Sequence, residues 1–104
     1  MSAVFAIRLI EVRSEEFDRL YGEIASFMHQ DGLAIPGCLE LQLFGSEDRT
    51  RIVIVAGFRS RKDWCHAQWN GRLGELLEEI MSLSLATDFN LYDGDRFTSP
   101  AVPS

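Results

Sequence analysis

The 104-residue chain is predicted to be an α+β protein: a ferredoxin-like βαββαβ sandwich with a four-stranded antiparallel sheet and two helices on one face. Three observations predict it. Strand-like and helix-like apolar periodicities follow one another in the order strand, helix, strand, strand, helix, strand. The two middle strands are joined by a polar connection short enough for a hairpin. The segment RIVIVAGF, residues 51–58, is a nearly continuous apolar run of the kind found at a sheet centre.

Val4 to Arg13 (VFAIRLIEVR) is dense in β-branched and aromatic residues, a strand signature. Ser14 is the expected N-cap of the first helix. Glu15 and Glu16 follow it, where carboxylates favour the positive end of the helix dipole. Phe17, Leu20, Tyr21, Ile24, Phe27 and Met28 then recur at three- and four-residue spacing and draw one apolar stripe. Asp31-Gly32 is the expected stop, since glycine accepts the left-handed conformation.

Ile35-Pro36-Gly37 reads as a turn. Leu39, Leu41 and Leu43 alternate with Glu40 and Gln42, as in a half-buried strand. Gly45 to Thr50 makes the polar connection to the third strand. Ser60 to Asp63 resembles a capping box with Asp in place of Glu, so the second helix begins at Arg61. Trp64 and Ala67 share a face before Asn70-Gly71 interrupts the pattern, as a break or a kink. Leu73, Leu76, Leu77, Ile80 and Met81 resume it, with Glu75, Glu78 and Glu79 toward solvent. From Ala86 to Phe97 the chain alternates again, with Phe89 and Leu91 opposed to Asp88 and Asn90. Residues 1–97 read as a single domain, and residues 98–104 as a disordered tail without an apolar face.

Sixteen acidic against ten basic side chains give a net charge of −6. This argues against nucleic acid and anionic membrane as partners, because both call for a basic face. No apolar run reaches the ~20 residues of a membrane span, and Met1 to Val4 lacks the basic start of a secretion signal. Two cysteines, Cys38 and Cys65, are too few for a disulfide framework, and the expectation is reduced thiols in the cytoplasm.

Two helices cover only one sheet face, yet the first strand is apolar on both. Phe5, Ile7 and Leu9 oppose Val4, Ala6, Ile10 and Val12, and in the third strand Ile52, Ile54 and Phe58 oppose Val53 and Val55. A bare face of this kind exceeds the apolar patch that soluble monomers tolerate. The expected remedy is a homodimer, which buries the patch twice.

Ile35-Pro36-Gly37-Cys38 with the strand Leu39-Glu40-Leu41, RIVIVAGF running into Arg59-Ser60-Arg61-Lys62-Asp63-Trp64, and the leucine spacing from Leu73 to Leu83 together resemble the antibiotic biosynthesis monooxygenase-like family. The resemblance spans Val4 to Asp93. It implies a dimeric α/β barrel and a small cofactor-independent oxygenase. Members typically end the third strand with Trp, where this chain has Phe58, and carry a His nine residues later, where it has Ala67. His66 lies one position earlier, about 100° round the helix. The haem-degrading branch adds an Asn on the first strand, and Val4 to Arg13 holds none, so haem degradation is not expected.

The candidate catalytic residues are His66, whose imidazole titrates near neutrality, and Asn70. Substrate-binding candidates are Trp69, Phe58, Glu40 and Arg8. Trp69 falls off the apolar stripe and either lines a pocket or packs at the dimer interface. Phe58 is a wall residue by its place in the family pattern. Glu40 and Gln42 are expected to share a strand face with Cys38 and Phe44, with Arg8 and Asn90 facing the same side in one register and Arg8 pairing with Glu40. No metal site is expected, because the adjacent Cys65 and His66 point too far apart to chelate one ion. His29 reads as a structural residue at a helix C-terminus.

Two functions fit. One is a cofactor-independent monooxygenase acting on an apolar aromatic or quinol-like substrate. The other is a non-catalytic dimeric α/β-barrel protein that binds a small apolar ligand. A further reading keeps haem binding without degradation, through His66 as axial ligand.

Overall fold

The computed structural model describes residues 3–95 and residue 97. The expected tail over residues 98–104 lies outside them. The elements are β1 (Ala3–Val12), α1 (Ser14–Gln30), a 3₁₀ turn (Gly32–Ala34), β2 (Cys38–Gly45), β3 (Arg51–Phe58), α2 (Arg61–Ala67), α3 (Gly71–Leu83) and β4 (Ser84–Gly94). The sheet is four-stranded with order β2-β3-β1-β4, and each neighbouring pair is antiparallel. This is the ferredoxin-like α+β arrangement that the periodicity predicted, with the second helix divided in two.

The division is made by Asn70. Its side chain accepts a hydrogen bond from the Leu73 N–H at 3.0 Å and so caps α3 as a helix of its own. Asn70-Gly71 is therefore a break. Ser60 caps α2 as expected, accepting from the Asp63 N–H at 3.1 Å. Ser14 does not cap α1. Arg13 holds the cap position with extended backbone, and Ser14 enters the helix with its hydroxyl donating to Glu15 at 3.3 Å. The chain turns that early because the Arg13 carbonyl already accepts from the Glu16 N–H at 2.9 Å.

Gly32 also serves a different purpose from the one expected. Its φ is not positive. Instead, a Cβ there would stand 2.4 Å from Leu41 Cδ1, so the glycine lets the tip of Leu41 pack against the turn, and a side chain would have to displace it. The left-handed glycine is Gly37, with φ 83°. It closes the Ile35-Pro36-Gly37-Cys38 turn, in which the Cys38 N–H donates to the Ile35 carbonyl at 3.0 Å.

Two buried clusters hold the helices to the sheet. Ile10, Val12, Phe17, Leu20, Ile24, Ile52 and Ile80 form the larger, between α1, α3 and the central strands. Ile35, Phe58 and Ala67 form the smaller, under α2. The opposite sheet face carries the rows Phe44-Val53-Leu9-Asp88, Gln42-Val55-Ile7-Asn90 and Glu40-Gly57-Phe5-Tyr92. Apolar side chains occupy its centre, and Leu9 is 46% exposed.

One expected juxtaposition does not form. Between Cys38 and Glu40 the β2–β3 register shifts, with Cys38 opposite Phe58 and Glu40 opposite Gly57. A bulge of one residue reverses the sides. Cys38 turns toward the helices, while Glu40 and Gln42 stay on the open face. Arg8, opposite Ile54 and Phe89, also faces the helices. The Arg8–Glu40 pair is corrected accordingly: the sheet itself separates the two groups.

Candidate functional site

Ala6 and Ala56 stand opposite each other on the two central strands. Two small side chains in one row leave the helices nothing to rest on, whereas Ile10 and Ile52 fill the sandwich further along. A half-enclosed cavity of about 90 Å³ opens above the alanines. Its floor is Ala6, Arg8, Ile54, Ala56, Phe58 and Phe89. Its roof is Ile24, Phe27 and Met28 of α1, Trp64 of α2, Gln68, and Leu73, Leu76, Leu77 and Ile80 of α3. Ile35, Cys38 and Leu41 close one end. That volume holds about three waters and falls short of the ~150 Å³ that takes benzene. A ring-sized ligand must therefore push the roof outward.

Three side chains interrupt the apolar lining: Arg8, Cys38 and Gln68. The Arg8 guanidinium lies 4.6 Å from the centre of the Phe89 ring, a cation–π contact. Burial lowers its pKa from the ordinary arginine value, though a guanidinium stays protonated. Burial raises the Cys38 thiol, the hydrogen bond to the Glu40 carbonyl lowers it by less, and the Glu40 charge adds a smaller raising effect. Cys38 is thus held as a thiol and makes a poor nucleophile. Gln68 donates to the Trp64 carbonyl at 3.0 Å, which ties down the end of α2. The Trp64 and Phe89 rings stack at 6.0 Å and 19°.

Of the residues singled out in the sequence, Phe58 and Arg8 line the cavity. His66, Trp69, Asn70 and Glu40 do not. His66 is exposed in the last turn of α2, Trp69 is 86% exposed, Asn70 is engaged in its cap, and Glu40 accepts from Gln42 at 2.7 Å on the open face. The cavity also has no room for a haem, and His66 is not placed to ligate one there. Among the described residues no group of three or more His, Cys, Asp or Glu gathers at metal-binding distance. Phe27, Trp64 and Phe89 are lining aromatics that the sequence does not mark as a site, and Phe27 lies on the apolar stripe of the first helix. Trp64 lay on the apolar stripe and Phe89 on an alternating strand, so both carried the signature of ordinary core.

No protein-family model matches the sequence, and no curated protein matches it. Solved structures do match in fold. A Nitrosomonas europaea protein, provisionally described as an antibiotic biosynthesis monooxygenase, superposes with a TM-score of 0.80 at 16% identity, over 88% of this chain and 89% of that one. A second antibiotic biosynthesis monooxygenase gives 0.74 at 16% identity, over 91% and 99%. SnoaB, a cofactor-independent oxygenase from Streptomyces nogalater, gives 0.72 at 18% identity, over 96% and 99%. The chain shares the fold of these proteins.

Proposed function

With that shared fold as premise, we propose that the protein is a small cofactor-independent monooxygenase that oxidises an apolar aromatic substrate in the cavity beneath Trp64. The observation that supports it is the cavity itself: an apolar slot walled by Phe58, Trp64 and Phe89, in a fold that SnoaB uses for oxygenation. An anthrone-like substrate would give up both hydrogens of its reactive methylene. One oxygen atom of O₂ becomes the new carbonyl and the other leaves as water, so the carbon loses four electrons and O₂ gains four. Once the roof has moved outward to admit the substrate, the apolar lining excludes water from this exchange and packs against the ring. The test is oxygen uptake with an anthrone as substrate. Uptake with formation of the quinone supports the reading. A rate equal to that of the protein-free solution overturns it.

One observation favours a second reading, a ligand-binding protein without catalysis. Among the described residues, no His, Asp or Glu lines the cavity to take the substrate's proton. Calorimetry that detects aromatic binding, together with no oxygen uptake, selects it.

We also propose that the open sheet face pairs two copies into a dimeric barrel. Its apolar rows support this. So does the placement of Leu9, where an added charge costs the monomer little and a dimer much. Sedimentation should show a dimer that Leu9→Asp converts to monomer. No helix among the described residues is long and apolar enough to cross a membrane. Two free thiols, Cys38 and Cys65, accord with a cytoplasmic setting.

A further inference from the structure

We propose that Arg8 makes the cavity selective for an anion: its ligand is a flat apolar molecule bearing one acidic oxygen group, a carboxylate or a phenolate, which the guanidinium receives. The proposal rests on the cavity identified above and adds the chemistry of what enters it.

Arg8 occupies an improbable position for a cation. It sits mid-strand on β1, one of the two central strands, in the row Leu43-Ile54-Arg8-Phe89 that faces the helices. Its neighbours along β1 on that face are Ala6 and Ile10. The side chain is half-buried and gives up part of its hydration, for which the protein offers the face of Phe89. Five of the other described arginines, Arg19, Arg49, Arg59, Arg61 and Arg72, each hold a carboxylate within 4.0 Å, while the exposed Arg13 and Arg51 hold none within that distance among the described residues. With sixteen acidic side chains in the chain, partners are plentiful. Yet among the described residues no carboxylate pairs with Arg8, and its contact is the face of Phe89. An aromatic face orients a guanidinium and offers it no oxygen acceptor. The N–H fork keeps its capacity for a planar, two-oxygen partner.

The rest of the lining limits that partner. Arg8 is the only cation among the described lining residues, so one negative group is matched and a second is not. The rings of Phe58, Trp64 and Phe89 suit a flat body. Cys38, its thiol held protonated by burial, adds no competing negative charge. Arg8 is thus a specificity-determining residue that discriminates by charge, while the aromatic walls discriminate by shape.

Three probes of similar size separate the possibilities: 4-nitrobenzoate, 4-nitrophenol and neutral 4-nitrotoluene. Calorimetry on the full chain, at a pH where both acids are ionised, should show each acid bound about tenfold tighter than 4-nitrotoluene. Arg8→Met should remove that preference while 4-nitrotoluene still binds, and Arg8→Lys should restore part of it. The absorbance titration of 4-nitrophenol should move to lower pH with the wild-type protein and to higher pH with Arg8→Met, because an apolar cavity without its cation favours the neutral phenol. Preference for one acid alone identifies the oxygen group as carboxylate or phenolate. If 4-nitrotoluene binds as well as the acids, or the preference survives Arg8→Met, the assignment to Arg8 falls and the cavity stands. If none of the three binds, or binding persists unchanged when Ala56→Leu fills the cavity, the cavity reading falls and the Arg8 assignment falls with it.

Discussion

Trp64 and Phe89 stack at 6.0 Å with their planes 19° apart, which joins the short helix α2 to the edge strand β4. With only Trp64 and Ala67 of α2 turned inward, this contact is a large part of what seats the helix. Arg8 shares the Phe89 ring, so the three side chains form one assembly across β1, β4 and α2.

A double-mutant cycle measures the link. Trp64→Ala and Phe89→Ala should each destabilise the fold by about 2–3 kcal/mol, and the pair by about 1 kcal/mol less than their sum, the usual worth of a stacked aromatic pair. Urea unfolding of the four proteins gives the coupling. Additive losses would mean that the rings are neighbours without interaction.

Asn70 offers a clean separation of structural from chemical roles. Its side chain caps α3 at 3.0 Å, so Asn70→Ala should cost about 1 kcal/mol. Asn70→Ser should restore most of it, since a serine hydroxyl can accept the same N–H. Oxygenase activity should follow the same order if the cap is the residue's whole purpose. Equal loss of activity in both variants, with stability kept by Ser, would return Asn70 to the chemistry.

That residue shows where sequence reading succeeds and where it stops. Periodicity is local, so the elements and their order were legible, as was the interruption at Asn70-Gly71. A helix break and a catalytic amide leave the same letters: the Leu73 N–H establishes the break, and the two Asn70 variants test the chemistry. The faces of β2 were misread for a related reason. Strict alternation put Cys38 beside Glu40, but the bulge after Cys38 changes the phase by one residue, and hydrophobic pattern carries no record of it. Arg8 was legible as a polar residue inside a strand. Its side of the sheet depended on pairing with Ile54 and Phe89, which is non-local. The cavity was invisible because it arises from two alanines fifty residues apart in sequence, Ala6 and Ala56.

Cys38 gives a prediction in pH. Burial raises its pKa in the folded chain, so the folded state keeps this proton at a pH where the unfolded thiol, near 8.5, has begun to lose it. The resulting stability is fully present below the unfolded value and is lost as pH rises through the folded one. Wild-type stability should therefore fall on the alkaline side more steeply than that of Cys38→Ser. Iodoacetamide should label exposed Cys65 first, with Cys38 following only at higher pH. A cavity ligand should slow Cys38 labelling further. Equal labelling rates near neutral pH would contradict the half-buried placement of the Cys38 thiol against an exposed Cys65.

Ala56→Leu tests the cavity by filling it. The substitution adds three carbon atoms at the floor, directly opposite Ala6, into a space of about 90 Å³. In a well-packed core such an enlargement costs about 1–3 kcal/mol through displaced neighbours. Where a void already exists, the added side chain meets Phe58, Trp64 and the α3 leucines without moving them. Stability should then stay level or rise by about 1 kcal/mol, since each buried methylene contributes roughly 0.8 kcal/mol before rotamer losses. Ligand binding and any oxygenase activity should disappear together, because one side chain occupies what the substrate needs. Thermal unfolding and calorimetry on the same preparation read both effects. A variant that loses several kcal/mol of stability would show that the sandwich closes over Ala6 and Ala56 in solution and leaves no room for a ligand.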